Sequence, residues 1–168
     1  MISIRKATPS DIPLIRSLAE VVFPATYTPL LPDGQVEYMM QWMYSEESLR
    51  RQMAEDHTYY IAFLDEVACG YLSVEQQSES LFHLQKIYIL PTFQGRGIGK
   101  ELFAIAVTHV REAGTLPAAL ELNVNRENRA VGFYQRMGMH RARTVDVEIG
   151  EGFYMNDYIM ALTIEERD

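Results

Sequence analysis

An α+β domain built around one mixed sheet is the fold class this sequence predicts, and three observations predict it. The run Phe82 to Leu90, rich in β-branched and aromatic residues, closes at Pro91 as a strand does where proline cannot continue the ladder. The glycine-rich turn Gln94-Gly95-Arg96-Gly97-Ile98-Gly99-Lys100 then leads into a helical run from Ile98 to Glu112, with Leu102, Phe103, Ala106, Val107 and Val110 at helical spacing. Two strand-like runs joined by a tight turn precede this unit, and a strand, a helix and a long hairpin follow it.

Taken in order, Ile2 to Lys6 alternates as a short strand. Thr8-Pro9-Ser10-Asp11 reads as a helix start, with a hydroxyl cap, proline in the first position and an acid in the first turn. Ile12, Ile15, Ala19 and Val22 form the apolar face of that helix, which is expected to end at Pro24. The proline-broken loop Thr26 to Pro32 either packs on the core or lines a pocket. Asp33 is the expected cap of a second helix striped with Val36, Met39, Met40 and Met43, with Tyr38 and Trp42 beside the stripe. Ser45 caps a third, supported by Glu46–Arg50 and Glu47–Arg51 pairs. Thr58 to Leu64 and Val67 to Val74 read as strands about the turn Asp65-Glu66. After Gly114 stops the central helix, Ala118 to Val124 alternates as a strand. Asn125 to Asn128 opens a helix carrying Ala130, Phe133, Tyr134 and Met137, and Gly138 ends it. Met139 to Ile149 and Phe153 to Thr163 form the hairpin.

A chain of 168 residues, 48% of them hydrophobic, fits one domain spanning 1–168, large enough to bury about 70% of its unfolded surface. A single cysteine, Cys69, excludes an intramolecular disulfide, and its apolar flanks suit a core residue better than a nucleophile. The N-terminus has no apolar leader and no run of 18 apolar residues occurs, so a soluble, cytoplasmic protein without membrane partners is expected. The net charge of −8 disfavours a non-specific nucleic-acid binder and suits a cationic partner. Four scattered histidines give no metal-ligand spacing, so no metal is expected. A homodimer is allowed.

The glycine turn points backbone N–H groups at one spot at the positive end of a helix, a place for an anion and usually a phosphate. A Walker loop needs four residues between its first glycine and the Gly-Lys pair, and here there are three, with Glu101 after Lys100. A dinucleotide fingerprint would need a third glycine at Lys100 or Leu102. What remains is Gln94-x-x-Gly97-x-Gly99, with a ligand-free turn as the competing reading of these few residues alone.

This loop resembles the pyrophosphate loop of the GCN5-related N-acetyltransferases, the GNAT family. The stretch Leu122 to Met139, with Asn128, Ala130, Phe133-Tyr134 and Gly138, is similar to the family's second cofactor motif, about 30 residues downstream. The resemblance implies a sheet in which the strand before the loop and the strand after the central helix splay to admit acetyl-CoA. It assigns the pyrophosphate to the backbone from Gln94 through Gly95, Arg96, Gly97, Ile98 and Gly99 to Lys100, and the pantetheine to the backbone of Ile87, Tyr88 and Ile89. An N–H near Ile89 would polarise the thioester carbonyl. Asn128 would contact the cofactor, and Tyr134 would protonate the departing thiolate; as a plain sequence feature Tyr134 is a core aromatic on an amphipathic helix. Many relatives carry Glu on the strand before the loop, whereas this chain has His83 and Gln85 on the face expected to hold Ile87 and Ile89. His83 can act as the base or serve as a structural histidine.

The implied function is transfer of acetyl from acetyl-CoA to a primary amine by direct attack in a ternary complex. Asp157-Tyr158-Ile159-Met160 also resembles the polyamine-acetylating branch. A small-molecule amine is therefore the expected partner, met by Tyr27, Tyr38, Trp42 and Asp157, with Asp33, Glu37 and Glu148 as further acids for a distal charge. A peptide acetyltransferase, or an acyl-CoA-binding regulatory module without turnover, are the alternatives.

Overall fold

Alternation of buried and exposed positions sorts the chain into seven strands and five helices, seen in a computed structural model that describes residues 1–166. In order they are β1 (Ile2–Lys6), α1 (Ile12–Tyr27), α2 (Gln35–Tyr44), α3 (Glu46–Ala54), β2 (His57–Leu64), β3 (Val67–Gln76) and β4 (Leu81–Ile89). Then come α4 (Ile98–Ala113), β5 (Ala118–Asn125), α5 (Ala130–Arg136), β6 (His140–Gly150) and β7 (Phe153–Ile164). The strands make one sheet in the order β1-β2-β3-β4-β5-β7-β6. All neighbours are antiparallel except β4 and β5, so the sheet is mixed, as expected.

Each face of the sheet buries its own apolar cluster. Helices α4 and α5 cover one face, where Leu102, Phe103, Ala106 and Tyr134 meet Leu72, Val74, Phe82, Leu84 and Leu120. Helices α1 to α3 cover the other, where Ile15, Phe23, Met39, Tyr44 and Leu49 meet Tyr59, Ile61 and Tyr71.

The parallel pairing of β4 with β5 is short. It runs from Leu81–Ala119 to His83–Glu121 and stops, while β5 continues beside β7 as far as Asn125–Asp157. Beyond His83 the two central strands part, and among the described residues the β5-side edge of β4 is left without a strand partner.

Four local expectations are corrected. Pro24 does not end the first helix, which runs on to Tyr27. The missing N–H leaves only the carbonyl of the exposed Glu20 to water, while Thr28 N–H donates to Pro24 O at 3.0 Å and Thr26 Oγ1 to Val22 O at 2.8 Å. Helix α2 is preceded by Gly34 at φ 86° rather than capped by Asp33. Helix α5 starts at Ala130, because Asn125 Oδ1 accepts from Glu127 N–H and Asn128 Oδ1 from Ala130 N–H, both at 2.9 Å, holding the chain in turns first. The fourth correction concerns β4. Ser73 pairs with Lys86 but Val74 pairs with Leu84, so Gln85 is an extra residue, a β-bulge. His83 and Gln85 therefore do not share a face with Ile87 and Ile89; the bulge reverses the alternation, and His83 faces the same side as Lys86 and Tyr88.

Candidate active site

The gap between the parted strands is a cleft of about 480 Å³, running from the glycine turn along β4 to Leu84 and walled opposite by Leu122 to Val124 and by α5. At its mouth Gly95 and Gly97 have φ of 80° and 84°, a backbone that side chains rarely adopt, and a Cβ on either would meet no atom within 4 Å. The glycines are required by conformation and leave room in front of the N–H groups that open the 16-residue helix α4. Gly99 packs against α5, where a Cβ would make an ordinary contact, 3.4 Å, with the Phe133 ring. Gln94 ties the turn to the strand, donating from Nε2 to Ile89 O at 3.3 Å.

Of the residues predicted for the cofactor, Ile87, Tyr88, Ile89, Gln94, Gly95, Gly97, Ile98, Gly99, Lys100 and Asn128 line this cleft. Arg96 is outside it, its guanidinium 5.4 Å from the centre of the Phe93 ring. Arg129, just before α5, and Arg136 at its end, neither of them expected from the sequence, bring positive charge to the cleft instead. Their signal was their place in the stretch around Asn128 and Phe133-Tyr134. Tyr134 lines the cleft while 7% exposed; burial, and then the nearby Tyr27, push its hydroxyl well above the ordinary tyrosine range, so it holds its proton.

A second cleft, of about 300 Å³, lies on the other side of β4. Tyr27, Gln85, Lys86, Tyr88 and Asn123 line both clefts, so the two adjoin at the bulge. Tyr27 reaches this junction because α1 continues past Pro24; its hydroxyl is 2.9 Å from that of Tyr88. Trp42, 47% exposed, stands among Met39, Met43 and Met155 on the wall, and Asp157, 3% exposed, faces in from β7. Burial pushes the Asp157 carboxyl up, against the hydrogen bond from Asn123 Nδ2 at 3.3 Å.

Tyr38 lines neither cleft. Its hydroxyl donates to Ile149 O at 2.8 Å and its ring packs on Phe153 at 5.6 Å, fastening α2 to the β6–β7 hairpin. Asp33, Glu37 and Glu148 are exposed and lie outside the second cleft, which leaves Asp157 as the acid that faces it. His83 lines the second cleft and not the first, in register with Glu75 and Glu121. Burial, chiefly, holds its pKa below the ordinary value, so the ring is neutral at pH 7.

Lys86 was not predicted at all. It is 6% exposed, and its Nζ donates to Gln52 Oε1 at 2.8 Å and bonds the Tyr59 hydroxyl. The only hint was a lysine inside a run otherwise fit for burial. Among the described residues there is no group of His, Cys, Asp and Glu able to hold a metal, and no helix long and apolar enough to cross a membrane.

A mixed sheet parted beside a glycine turn, with a tyrosine in the gap, defines an acyltransferase fold of the kind that receives an acyl-CoA. The pattern of the acetyltransferase (GNAT) domain matches residues 28–161, and the chain belongs to that family. The PaiA N-acetyltransferase of Thermoplasma acidophilum, solved in complex with coenzyme A, superposes with a TM-score of 0.79 at 25% identity, over 97% of this chain and 99% of that one. The ribosomal-protein-S18-alanine N-acetyltransferase of Escherichia coli has the same fold at a TM-score of 0.75 and 18% identity, over 100% and 97% of the two chains. The peptidyl-lysine N-acetyltransferase YjaB of Salmonella typhimurium is 44% identical over 57 residues, 33% of this chain. That match spans 34% of the relative's length, about a third.

Proposed function

We propose that this protein transfers acetyl from acetyl-CoA to the primary amine of a small, cationic molecule, by direct attack with both substrates bound. One observation carries the reading. The free edge of β4 at Ile87 to Ile89 connects the glycine turn to a second cleft that holds a buried carboxylate.

The residues present fit acetyl-CoA. N–H groups around Gly95 to Gly99, with Lys100, Arg129 and Arg136, suit a pyrophosphate, and the unpaired strand edge suits the amides of pantetheine. The thioester end then lies deep in the cleft, past Ile89 and toward Lys86 and Tyr134. Tyr134 holds a proton to deliver to sulfur, and the amine nitrogen enters from the second cleft. Tyr27 and Trp42 offer ring faces to an alkyl chain or a cation, and Asp157 offers a counter-charge.

Acceptors of another size fit the same chemistry. A lysine side chain on a peptide presents the same aminoalkyl group, and the partial relative is a peptidyl-lysine acetyltransferase. Free-thiol release from acetyl-CoA, measured against a diamine, a monoamine, a lysine peptide and an acidic amino compound, tests the reading. Release with the diamine is expected. Release with the peptide alone moves the acceptor to protein lysines, and release with none leaves an acyl-CoA-binding module.

A further inference from the structure

Resting on the acetyl transfer proposed above, we propose that Lys86 takes the proton that the attacking amine must lose. An amine held as an ammonium has no lone pair with which to attack, so some group at the meeting point of the two clefts has to accept a proton. The bulge at Gln85 puts Lys86 at that point: the residue lines both clefts, and the strand edge that suits the thioester begins at its neighbour Ile87.

The surroundings of Lys86 decide its charge. Its Nζ bonds Gln52 Oε1 and the Tyr59 hydroxyl and lies over the Tyr44 and Tyr59 rings, 4.6 and 5.1 Å from their centres. Among the described residues no carboxylate pairs with it. A buried ammonium with only neutral partners is strongly disfavoured, and the ordinary response is to give up the proton. Burial takes the Lys86 pKa down to about 7.

The tyrosines and histidines around it are uncharged at neutrality. Tyr27 from α1, Tyr44 from α2, Tyr59 from β2, Tyr71 from β3 and Tyr88 from β4 are all pushed up, chiefly by burial, and stay neutral. His57 and His83 are held below their ordinary value by burial and are neutral at pH 7. Asp157 faces the second cleft from β7, its carboxyl pushed up by burial against the hydrogen bond from Asn123.

The proton count closes. Neutral Lys86 takes one proton from the ammonium, and the freed lone pair forms the nitrogen–carbon bond as the carbon–sulfur bond breaks. Tyr134 protonates sulfur, and the tyrosinate recovers the second nitrogen proton. Lys86 then releases its proton to water through the second cleft. Ammonium and thioester become amide, thiol and one proton.

The test is the pH dependence of turnover with saturating acetyl-CoA and 1,4-diaminobutane, for wild type, Lys86→Met, Lys86→Arg and His83→Asn. Wild-type turnover is expected to climb about tenfold per pH unit below a midpoint near 7 and then level off. Lys86→Met and Lys86→Arg should lose roughly 10²- to 10⁴-fold and the limb with it, because neither side chain accepts a proton. Both should keep the thermal shift with acetyl-CoA, which shows an intact fold, and His83→Asn should keep the limb. Wild-type turnover in Lys86→Met, or a limb that disappears in His83→Asn, overturns the assignment. Absence of thiol release by the wild type with every amine would instead remove the acetyl-transfer reading, and this role with it.

Discussion

Removing the buried amine should make the protein more stable, by an amount that depends on pH in a set direction. In the native state Lys86 titrates near 7, against an ordinary 10.5, so between those values the unfolded chain holds one proton more. Stability then rises with pH, by up to about 1.4 kcal/mol per unit. Below pH 7 both states are protonated and the penalty is complete, on the order of 5 kcal/mol; above 10.5 it is gone. Lys86→Met keeps the length of the side chain and leaves Tyr59 and Gln52 bonded to each other, hydroxyl to Oε1 at 2.5 Å. The variant should therefore exceed wild type at pH 7, and its advantage should shrink by about 2 kcal/mol between pH 7 and 9. Urea unfolding of both proteins at pH 7, 8 and 9 measures this, and the other titrating groups cancel in the difference. Parallel stability curves would mean that Lys86 stays charged in the folded protein across this range, and the argument from burial would fail together with the proton-accepting role.

Gly97→Asp sets a carboxylate before the N–H groups of the turn. It should abolish the thermal shift that acetyl-CoA gives the wild type, roughly 5–10 °C at a hundredfold excess over its dissociation constant, while the fold survives. An undiminished shift would clear the turn of cofactor binding. Tyr134→Phe should leave stability nearly unchanged and lower turnover roughly 10²- to 10⁴-fold, toward the low end because a thiolate leaves readily; unchanged turnover would return Tyr134 to the core. Gly150 sits at φ 107°, and a Cβ there would come within 2.4 Å of the Tyr38 hydroxyl. Gly150→Ala should therefore cost about 2–3 kcal/mol in a urea titration through strain and the lost bond to Ile149, and a neutral result would unmake the fastening of α2 to the hairpin. Asp157→Asn should raise the Michaelis constant for a diamine more than for a monoamine of equal length, whereas equal changes would remove the buried carboxylate from acceptor binding.

What the sequence made legible follows from which constraints are local. Gly95 and Gly97 announced positive φ, and long periodic runs such as Ile98 to Val110 announced their faces, because conformation and period are properties of a few neighbouring residues. Tyr38 could not be placed that way: whether an aromatic beside a methionine stripe faces a ligand or the backbone of Ile149 depends on a hairpin more than a hundred residues away. The face of His83 was misread for a sharper reason. Counting by twos from Ile89 put His83 on the face of the cofactor strand edge, and one extra residue at Gln85 reversed every side chain upstream of it. The bulge lies two residues beyond His83, the last residue of β4 that pairs with β5. The parting of the sheet and the change of face thus happen within one turn of the strand. Because they coincide, the free edge from Ile87 onward opens to one cleft while Lys86 and Tyr88 turn toward the other. On the proposed reading an amine and a thioester meet across β4 without either crossing the core, and the residue at the crossing is a lysine that no carboxylate pairs with among the described residues.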